Sequence, residues 1–464
     1  MVNPFPIFMD IPRIVIAGVK SKIGKTMVSI GLMRALKNRG YVVQPYKVGP
    51  DFIDPSFHLF ATGRHSRNLD DFMLTRTDII ETFERNFRGA DIAIVEGKTG
   101  LYDSHDGIHE RGSTAHVAKI LKAPVVLIAD VERINRSVAA ILMGYKMFDP
   151  EVDIRGAILN RIGNPRHEWK VKNAVEMLAK LEVLGTIPRL SGVNMPYRHL
   201  GLIPAYERDE VDALFDELAE IVERYVNVDR LIEIAYSAPE LEDVHEHPIF
   251  IEENSNVTVG VIRDKAFSFY YQDNIDAISA KANVVVIDSF KDKRLPKIDA
   301  LYIGGGFPEV FAEDLERNKT LRRDVYEFCD SGKPVYAECG GLMFLGESVE
   351  WKGGEYEMVG FLPFKTRMHK RFQALGYCVY RTMRTNVISG RGEKILGHEF
   401  HYSEVIPKGK LNFAFKVLRG KGVDGEHDGV IRKNTLANYI HVHVLSHPNM
   451  VHRLIRRAKN SIQR

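Results

Sequence analysis

The sequence predicts an α/β protein of two domains. In the first half of the chain, short apolar runs alternate with segments of helical length, and a second series of the same kind starts near residue 257. Strands that are apolar on both faces and separated by helices form parallel sheets covered on both sides. An acidic, proline-bearing stretch separates the two series. We therefore predict one domain over residues 1–235, a linker over 236–256 and a second domain over 257–464.

The individual elements follow from hydrophobic periodicity. In the first series, buried strands are predicted at residues 13–17, 41–47, 92–96, 124–130 and 154–160. A helix is predicted at 27–37, and another at about 205–226, where apolar residues recur at three- and four-residue spacing. The strands of the second series are predicted at residues 257–262, 284–287, 300–303 and 334–338.

Composition limits the classes of function. The 464 residues are 45% apolar and 27% charged with a net charge of +3, which is ordinary for a soluble globular protein. The charge is not clustered into a basic face, so we expect no nucleic-acid partner. Three cysteines without paired spacing indicate a reducing compartment. No apolar run approaches the ~20 residues that span a bilayer, and no signal-peptide pattern is present, so we predict a cytoplasmic protein without a membrane partner.

A phosphate-binding loop is predicted behind the first strand. Residues 18–26 read Gly-Val-Lys-Ser-Lys-Ile-Gly-Lys-Thr between a strand and a helix, where backbone N–H groups and the helix N-terminus hold phosphates. In such a loop Gly24 shapes the turn, Lys25 reaches the β- and γ-phosphate oxygens, and the Thr26 hydroxyl binds Mg²⁺. The early lysine, Lys20, fits the deviant form of the loop found in dethiobiotin-synthetase and partitioning-ATPase relatives.

Acidic residues follow two neighbouring strands of the first series. Asp51 and Asp54 come after the second strand and Glu96 ends the third, so these carboxylates are expected at the edge of the sheet that carries the loop. We assign Asp51 and Glu96, together with Thr26, to Mg²⁺. Asp51, Asp54 and Asp103 are assigned to positioning the substrate and the transferred phosphoryl group. The alternative for these acids is a structural role in turns and helix caps.

A nucleophile is predicted in the second domain. Strand 334–338 runs into Cys339, which is followed by two glycines and an apolar helix. A side chain at such a junction is exposed on a tight turn, and the N–H groups that follow can hold an oxyanion. The helix N-terminus is expected to favour the thiolate over the thiol. We interpret Cys329, in an amphipathic stretch, and Cys378, in a strand-like one, as small apolar core residues.

The other parts of a cysteine-dependent site are a base and an oxyanion loop. A triglycine run containing Gly305 and Gly306 follows strand 300–303. In a glutaminase this run and Gly340 would hold glutamine and its oxyanion. Near the C-terminus, alternation along a strand would place His441 and His443 on one face, as a base for the cysteine or as structural histidines.

Together these features resemble the cobyrinic acid a,c-diamide synthase family, glutamine-dependent ATP amidotransferases that act on tetrapyrrole carboxylates. The resemblance covers nearly the whole chain, and its specific blocks lie at residues 47–54, 96–97, 100–103, 112–116, 198–204, 263–271, 304–306, 397–403 and 438–443. It implies a dethiobiotin-synthetase-like P-loop domain followed by a class I glutamine amidotransferase domain with a flavodoxin-like fold. It also implies His441 as the base, without the acidic third residue usual in glutaminases.

The reaction implied by the resemblance is amidation of the a and c acetates of a tetrapyrrole, cobyrinate or Ni-sirohydrochlorin or both. ATP with Mg²⁺ would activate each carboxylate as an acyl phosphate, and glutamine would supply ammonia. A homodimer is one expected assembly. Two alternatives stay open: a cobyric acid synthase-like amidotransferase, and a partitioning-type P-loop ATPase whose second domain is an inactive glutaminase used for binding. The chain departs from the family pattern at Lys20, Lys22 and Lys98-Thr99.

Overall fold

A computed structural model describes residues 8–190, 197–198, 201–202, 211–242 and 244–462. The chain divides into two compact units, Met1–Glu246 and His247–Arg464. The domain limits 1–235 and 257–464 stay predictions. The boundary between the two units falls inside the predicted linker, between Glu246 and His247. The region that we predicted as a linker contains the end of a helix, a short strand and a 3₁₀ turn at Pro248–Phe250.

The first unit contains the strands β1 (Phe8–Met9), β2 (Arg13–Gly18), β3 (Val43–Val48), β4 (Arg67–Leu69), β5 (Ile92–Glu96), β6 (Val125–Asp130), β7 (Ile154–Ile162), β8 (Glu182–Pro188), β9 (Tyr197–Arg198), β10 (Gly201–Leu202) and β11 (Leu241–Glu242). Its helices are α1 (Lys25–Asn38), α2 (Ile53–Thr62), α3 (Arg76–Phe87), α4 (Thr114–Ile120), α5 (Ser137–Phe148), α6 (Pro165–Ala174), which continues as a π-helical turn at Val175–Ala179, α7 (Val211–Tyr225) and α8 (Val228–Tyr236).

A parallel sheet forms the centre of this unit. Among the described residues, seven strands pair in the order β4–β3–β5–β2–β6–β7–β8, every pair parallel. All residues of β2, β3 and β5 are buried, as expected for strands covered by helices on both faces. The strands and the helix predicted for this half are confirmed to within two residues. The helix predicted at 205–226 is confirmed as α7, and residues 205–210 lie outside the described part of the chain.

The second unit contains the strands β12 (Thr258–Ile262), β13 (Asn283–Ile287), β14 (Ala300–Ile303), β15 (Val335–Glu338), β16 (Ser348–Trp351), β17 (Gly354–Glu357), β18 (Phe364–Met368), β19 (Ala374–Thr382), β20 (Lys394–His401), β21 (Ser403–Pro407), β22 (Phe413–Arg419), β23 (His427–Arg432) and β24 (Thr435–Asn438). Its helices are α9 (Gln272–Ser279), α10 (Ala312–Arg317), α11 (Lys319–Asp330), α12 (Gly340–Leu345) and α13 (Asn449–Ile462).

A sheet of parallel and antiparallel strands forms the centre of the second unit. Its described strands pair in the order β13–β12–β14–β15–β24–β23–β22–β19–β20. The first five strands are parallel, and the remaining pairs are antiparallel. The four predicted strands are confirmed as β12 to β15, whereas the antiparallel extension was not predicted. Cys329 on α11 and Cys378 on β19 are fully buried, as expected for apolar core residues. In the part of the chain that the structure describes, no helix is long and apolar enough to cross a membrane.

Close contact between α1 and α7 holds the helix that starts at the phosphate-binding loop. Gly31 of α1 faces α7 so closely that a Cβ atom there would lie 2.6 Å from the carbonyl oxygen of Leu218 and 2.7 Å from a methyl group of Val222. At the rim of the contact, the guanidinium of Arg34 forms two hydrogen bonds to the carboxylate of Asp216, at 2.7 and 3.1 Å. Glycine at position 31 therefore sets the distance between the two helices.

We expect Gly31→Ala to lower the free energy of unfolding by about 1–3 kcal/mol, because the added methyl group meets backbone atoms that cannot move alone. Gly144→Ala is the matched control, since a Cβ on this exposed glycine of α5 has no neighbour within 4 Å. The control should be neutral or stabilising by up to ~1 kcal/mol. Denaturant titrations of both variants compare the midpoints, and equal midpoints would contradict the close-contact assignment.

Candidate functional sites

The phosphate-binding loop has the backbone geometry that its sequence predicts. β2 ends at Gly18 and α1 begins at Lys25, with Gly24 between them in a left-handed conformation at φ 92°. A Cβ atom on Gly24 would lie 2.4 Å from the side-chain nitrogen of Asn160, and that nitrogen donates a 2.8 Å hydrogen bond to the carbonyl of Ile23. Asn160, on β7, therefore holds the loop in its turn and leaves room only for glycine there.

Four polar side chains meet behind this loop. The Thr26 hydroxyl donates a 2.8 Å hydrogen bond to Oε1 of Glu96 and lies 3.5 Å from Oδ2 of Asp54. The ammonium of Lys47 donates to both carboxylates, at 2.6 Å to Asp54 and 3.2 Å to Glu96. The Glu96 side chain is fully buried and that of Lys47 nearly so. The structure thus brings Thr26 together with Glu96, as predicted, and adds Asp54 and Lys47 to them.

Opposite charges compensate one another within this buried cluster. Burial would raise the pKa of Glu96, but Lys47 and a hydrogen bond from His58 outweigh it and hold that pKa well below its usual range. For Lys47 the effects are reversed. Burial would lower its pKa, but the carboxylates of Asp54 and Glu96 hold that pKa above its usual value. Burial and the nearby Asp51 raise the pKa of Asp54 well above the usual range, with Lys47 acting against them.

Lys25 occupies a different environment from Lys47. Its side chain is largely buried, and burial together with the neighbouring Lys47 lowers its pKa. The ammonium donates a 3.2 Å hydrogen bond to the carbonyl of Thr99, a neutral group, rather than to a carboxylate. A cation held near a glycine-rich loop in this way is suited to a phosphate.

The lysines that depart from the family pattern lie in three different settings. Lys20 is exposed, and the structure does not bring it to the buried cluster. Lys22 is also exposed and has a left-handed backbone at φ 60°, a conformation that favours glycine. Lys98 is partly buried, and burial lowers its pKa although Asp70 and Asp71 act in the opposite direction.

Asp51 and Asp103 have the structural role in turns that the sequence analysis left open as an alternative. Oδ1 of Asp51 accepts hydrogen bonds from the N–H groups of Ile53 and Asp54, at 2.7 and 3.3 Å, at the start of α2. Oδ2 of Asp103 accepts a 2.7 Å bond from the N–H of Gly100. Both carboxylates therefore stabilise turns, and their assignment to Mg²⁺ or substrate stays a prediction.

The cluster has donor atoms that fit Mg²⁺. The hydroxyl of Thr26 and the carboxylates of Asp54 and Glu96 are hard oxygen ligands, and Mg²⁺ binds through one or two carboxylates together with phosphates and water. Within the described ranges, no group of three or more His, Cys, Asp and Glu side chains could hold a metal. A magnesium ion here would therefore take its remaining ligands from nucleotide phosphates and water.

Sequence reasoning missed Lys47 and His58 as members of this site. Nε2 of His58 lies 2.7 Å from Oε2 of Glu96, and Nδ1 lies 3.0 Å from the hydroxyl of Ser66. Two signals were present in the sequence. Lys47 is a charged residue within a buried strand, and His58 stands four residues after Asp54, on the same face of α2.

In the second unit, Cys339 lies at the strand–helix junction predicted for it. β15 ends at Glu338 and α12 begins at Gly340, with Cys339 between them at φ 46° and ψ −97°. Such a backbone conformation is strained for a residue other than glycine and is common at reactive positions. The N–H of Gly341 donates a 3.0 Å bond to the carbonyl of Gly304, which ties the nucleophile turn to the triglycine loop.

The expectation that the helix favours a thiolate is wrong for this structure. Burial raises the pKa of Cys339 above its usual range, Glu309 and Glu338 act in the same direction, and only the N–H of Gly340 opposes them. The helix α12 has six residues, too few for a strong dipole to outweigh burial. The thiol donates to the carbonyl of Phe400 at 3.6 Å. Cys339 therefore rests as a thiol and needs a base.

In the triglycine loop, Gly305 does not have the oxyanion-binding role predicted for it. The N–H of Gly305 donates a 3.2 Å hydrogen bond to the carbonyl of Phe269, so it is not directed at an oxyanion. Gly305 instead makes room for the base, because a Cβ atom there would lie 2.5 Å from Cε1 of His441. The nitrogen of Gly306 lies 3.0 Å from the position that a Cβ on Gly340 would take. Gly306 and Gly340 stay the predicted oxyanion donors.

The two tail histidines do not share a face of a strand, because β24 ends before them at Asn438. His441 exchanges backbone hydrogen bonds with His398, at 2.8 and 3.1 Å, and its Nδ1 lies 3.5 Å from Oε2 of Glu338. Nε2 of His443 instead lies 3.6 Å from Oδ2 of Asp273. His441 is thus the histidine that the structure brings to Gly305 and the end of β15.

Comparison with known proteins agrees with this division of the chain. Residues 14–203 match the family described as a CobQ/CobB/MinD/ParA nucleotide binding domain. Residues 258–449 match the CobB/CobQ-like glutamine amidotransferase domain. A solved structure of a glutamine amidotransferase is 15% identical and covers 43% of this chain and 98% of that chain, but its TM-score of 0.33 is too low to carry an argument.

Relatives match almost the whole chain. It is 63% identical over 450 residues to a cobyrinate a,c-diamide synthase of Archaeoglobus fulgidus, covering 97% of this chain and 98% of the relative. Proteins with the same name from Methanothermobacter thermautotrophicus and Methanobrevibacter smithii are 43% and 42% identical, over 96% and 94% of this chain and 99% and 97% of their own lengths. The chain therefore belongs to the cobyrinate a,c-diamide synthase family and has an N-terminal nucleotide-binding domain and a C-terminal glutamine amidotransferase domain, as its sequence predicts.

Proposed function

We propose that this protein is an ATP- and glutamine-dependent ligase that converts the a and c acetate carboxylates of a tetrapyrrole into amides. The observation that carries the proposal is 63% identity over 97% of the chain to a relative named cobyrinate a,c-diamide synthase. The two sites support it, because one offers a phosphate loop with a charged cluster and the other a cysteine with a histidine base. Cobyrinate and Ni-sirohydrochlorin, which both carry these acetates, are the proposed substrates.

The first unit carries out carboxylate activation. The loop N–H groups, Lys25 and the start of α1 bind the phosphates of ATP, and a substrate carboxylate oxygen attacks the γ-phosphorus. The bond from the γ-phosphorus to ADP breaks, leaving an acyl phosphate and ADP. Thr26, Asp54 and Glu96 would hold Mg²⁺, which when bound neutralises charge on the phosphates. Asp51 and Asp103 shape the turns beside the cluster and are proposed to position the carboxylate.

The second unit releases ammonia. His441 takes the proton of the Cys339 thiol as the sulfur attacks the side-chain amide carbon of glutamine. The N–H groups of Gly306 and Gly340 are proposed to face the oxyanion that forms. His441 returns the proton to the leaving nitrogen, and water then hydrolyses the glutamyl thioester to glutamate. Ammonia attacks the acyl phosphate, the bond to phosphate breaks, and an amide remains.

Mass spectrometry of products tests the whole reaction. The pure protein is incubated with ATP, glutamine and either cobyrinate or Ni-sirohydrochlorin, and the a,c-diamide is expected with at least one of them. Amidation of other carboxyl groups would support a cobyric acid synthase-like enzyme instead. ATP hydrolysis without any amide, together with no glutamine hydrolysis, would support a partitioning-type ATPase.

We expect Lys25→Ala to lower ATP-dependent amidation by about a hundredfold or more, roughly 2.7 kcal/mol of barrier, because an ammonium that faces the phosphates is lost. Glutamine hydrolysis should be retained. Lys37→Ala, in the last turn of the same helix, is the control and should resemble the wild type. The measurement is ATP turnover with macrocycle present, and a rate for Lys25→Ala within about threefold of wild type would refute the assignment.

We expect Cys339→Ala to abolish glutamine-dependent synthesis and to retain synthesis with high ammonium salt, because the thiol serves only to release ammonia. Cys329→Ala is the matched control, since this cysteine is buried in α11 away from the junction. Both variants are assayed for glutamate and amide formation. Normal glutamine consumption by Cys339→Ala would exclude the amidotransferase mechanism.

His441→Ala should be nearly as impaired as Cys339→Ala near neutral pH, because the raised pKa of Cys339 leaves little thiolate. Since a thiol loses its proton as pH rises, the residual glutaminase rate of this variant should increase about tenfold per pH unit below the thiol pKa. A pH profile of glutamine hydrolysis measures this slope. A flat profile would show that His441 is not the base that removes the thiol proton.

A further inference from the structure

Glu338 lies next to the base of the second site, although the family resemblance implies no acidic third residue beside the cysteine and the histidine. Its Oε2 atom is 3.5 Å from Nδ1 of His441, and both side chains are fully buried. On the basis of the glutaminase function proposed above, we propose that Glu338, the residue immediately before the nucleophile, is the positioning residue that orients His441 and stabilises its protonated form. It would take the place of the acidic third residue of other glutaminases.

The register of the sheet explains why these residues meet. β15 and β24 are parallel neighbours, with Glu338 paired opposite Asn438. The N–H of Cys339 donates a 2.7 Å hydrogen bond to the carbonyl of Asn438, so the two strands stay paired up to the nucleophile. His441 comes three residues after Asn438. The pairing therefore places the acid at the end of one strand beside the base that follows the next.

Glu338 is surrounded by donors that suit a carboxylate. Tyr336 donates a 2.6 Å hydrogen bond to Oε1, Tyr302 a 3.1 Å bond to Oε2, and the N–H of Val442 a 3.3 Å bond to Oε1. Burial and the charge of Glu338 raise the pKa of both tyrosines, so their hydroxyls keep the protons that they donate. Buried acceptors with several donors are stabilised as anions. These contacts would hold Glu338 as a carboxylate that can stabilise a protonated His441.

Other side chains already hold the backbone around the base. The carboxylate of Asp428 accepts from the N–H groups of Tyr439 and Ile440, at 3.0 and 3.3 Å. Asn274 donates a 2.7 Å bond to the carbonyl of Val442 and accepts one of the same length from the N–H of residue 444. What Glu338 adds to these contacts is a negative charge at Nδ1 of His441.

The contact fits the proton transfers of the glutaminase reaction. With the N–H of Nδ1 directed at Glu338, Nε2 is left as the acceptor for the Cys339 proton, and the imidazolium formed faces a carboxylate. Glu338 itself gains no proton in this step. A distance of 3.5 Å is longer than a good hydrogen bond, and we expect this contact to shorten when substrate binds. Because the thiol pKa is raised, the base needs this support.

The test replaces the charge and keeps the shape. Glu338→Gln should lower kcat for glutamine hydrolysis by about 10²–10⁴-fold, with little change of KM for glutamine. Synthesis with ammonium salt should be unchanged. Glu327→Gln, on an exposed position of α11, is the control and should match the wild type. A glutaminase rate of Glu338→Gln within about threefold of wild type would overturn the proposal.

A pH profile separates positioning from a structural role. Without the carboxylate the imidazolium is less stable, so the acidic limb of kcat/KM for glutamine should move to lower pH in Glu338→Gln. The other titratable groups around this pair include Cys339, Tyr270, Tyr302, Tyr336, Glu309, His398, His401 and Asp428. Burial lowers the pKa of His401 to about 3 and, with Glu399, raises that of Asp428 to about 8, and both residues are unchanged in the variant. A lower kcat with an unmoved acidic limb would overturn the proposal.

A spectroscopic measurement on the wild-type protein does not depend on the variant folding. In protein labelled with ¹⁵N-histidine, the resonances of His441 are assigned by comparison with His441→Gln. We expect the neutral ring to carry its proton on Nδ1, and the proton on Nε2 would overturn the proposal. Glutamine hydrolysis that persists in Cys339→Ala would instead reject the proposed function, so the two failures are distinguishable.

Discussion

The parallel pairing of strands brings the reactive side chains of each unit to one edge of its sheet. In the first unit β3, β5 and β2 are neighbours, and Asp54, Glu96 and Lys25 follow or end these strands. In the second unit β14, β15 and β24 are neighbours, and the triglycine loop, Cys339 and His441 follow them. The strand interiors are mostly apolar and buried, and the reactive groups lie where the strands end, with Lys47 near the end of β3 as a charged residue still inside a strand. Each site therefore depends on the same constraint.

Burial at these edges makes charge compensation necessary. Glu96 is fully buried and contacts Lys47, His58 and Thr26, with both of its oxygens engaged. A carboxylate in such a place is stable only if donors and a cation replace the water it has lost. The same contacts leave Lys25 as a cation bonded to a neutral carbonyl. The first site thus combines a neutralised cluster with a separate ammonium directed at the loop.

In the second site, burial affects the nucleophile itself, because it raises the pKa of the Cys339 thiol. Burial and two nearby acids hold the thiol of Cys339 protonated, so the nucleophile cannot depend on a lowered pKa. The same acid that disfavours the thiolate, Glu338, lies against His441 and would favour the imidazolium. One buried carboxylate would therefore act on both the thiol that gives up the proton and the histidine that receives it. In the glutaminase mechanism proposed here, this makes the histidine more important than it would be beside a preformed thiolate.

The sequence by itself determined the α/β class, the strand–loop–helix junctions and the residues at their turns, such as Gly24, Lys25 and Cys339. These features depend on local periodicity and on backbone conformations that few residue types adopt. The antiparallel half of the second sheet was not predicted, because its strands lack a local signal for their pairing partners. The raised pKa of Cys339 likewise depends on packing that no local pattern shows.

Only the tertiary structure decided the contacts between distant parts of the chain. His58 and Glu96 are 38 residues apart, and Glu338 and Val442 are 104 apart. The sequence could predict that another group approaches the backbone closely at Gly305. It could not predict that the N–H of Gly305 donates to the carbonyl of Phe269, or that His441 occupies the space beside this glycine. Such pairings follow from strand order and register, which a sequence determines through the energy of the whole fold rather than through any local segment.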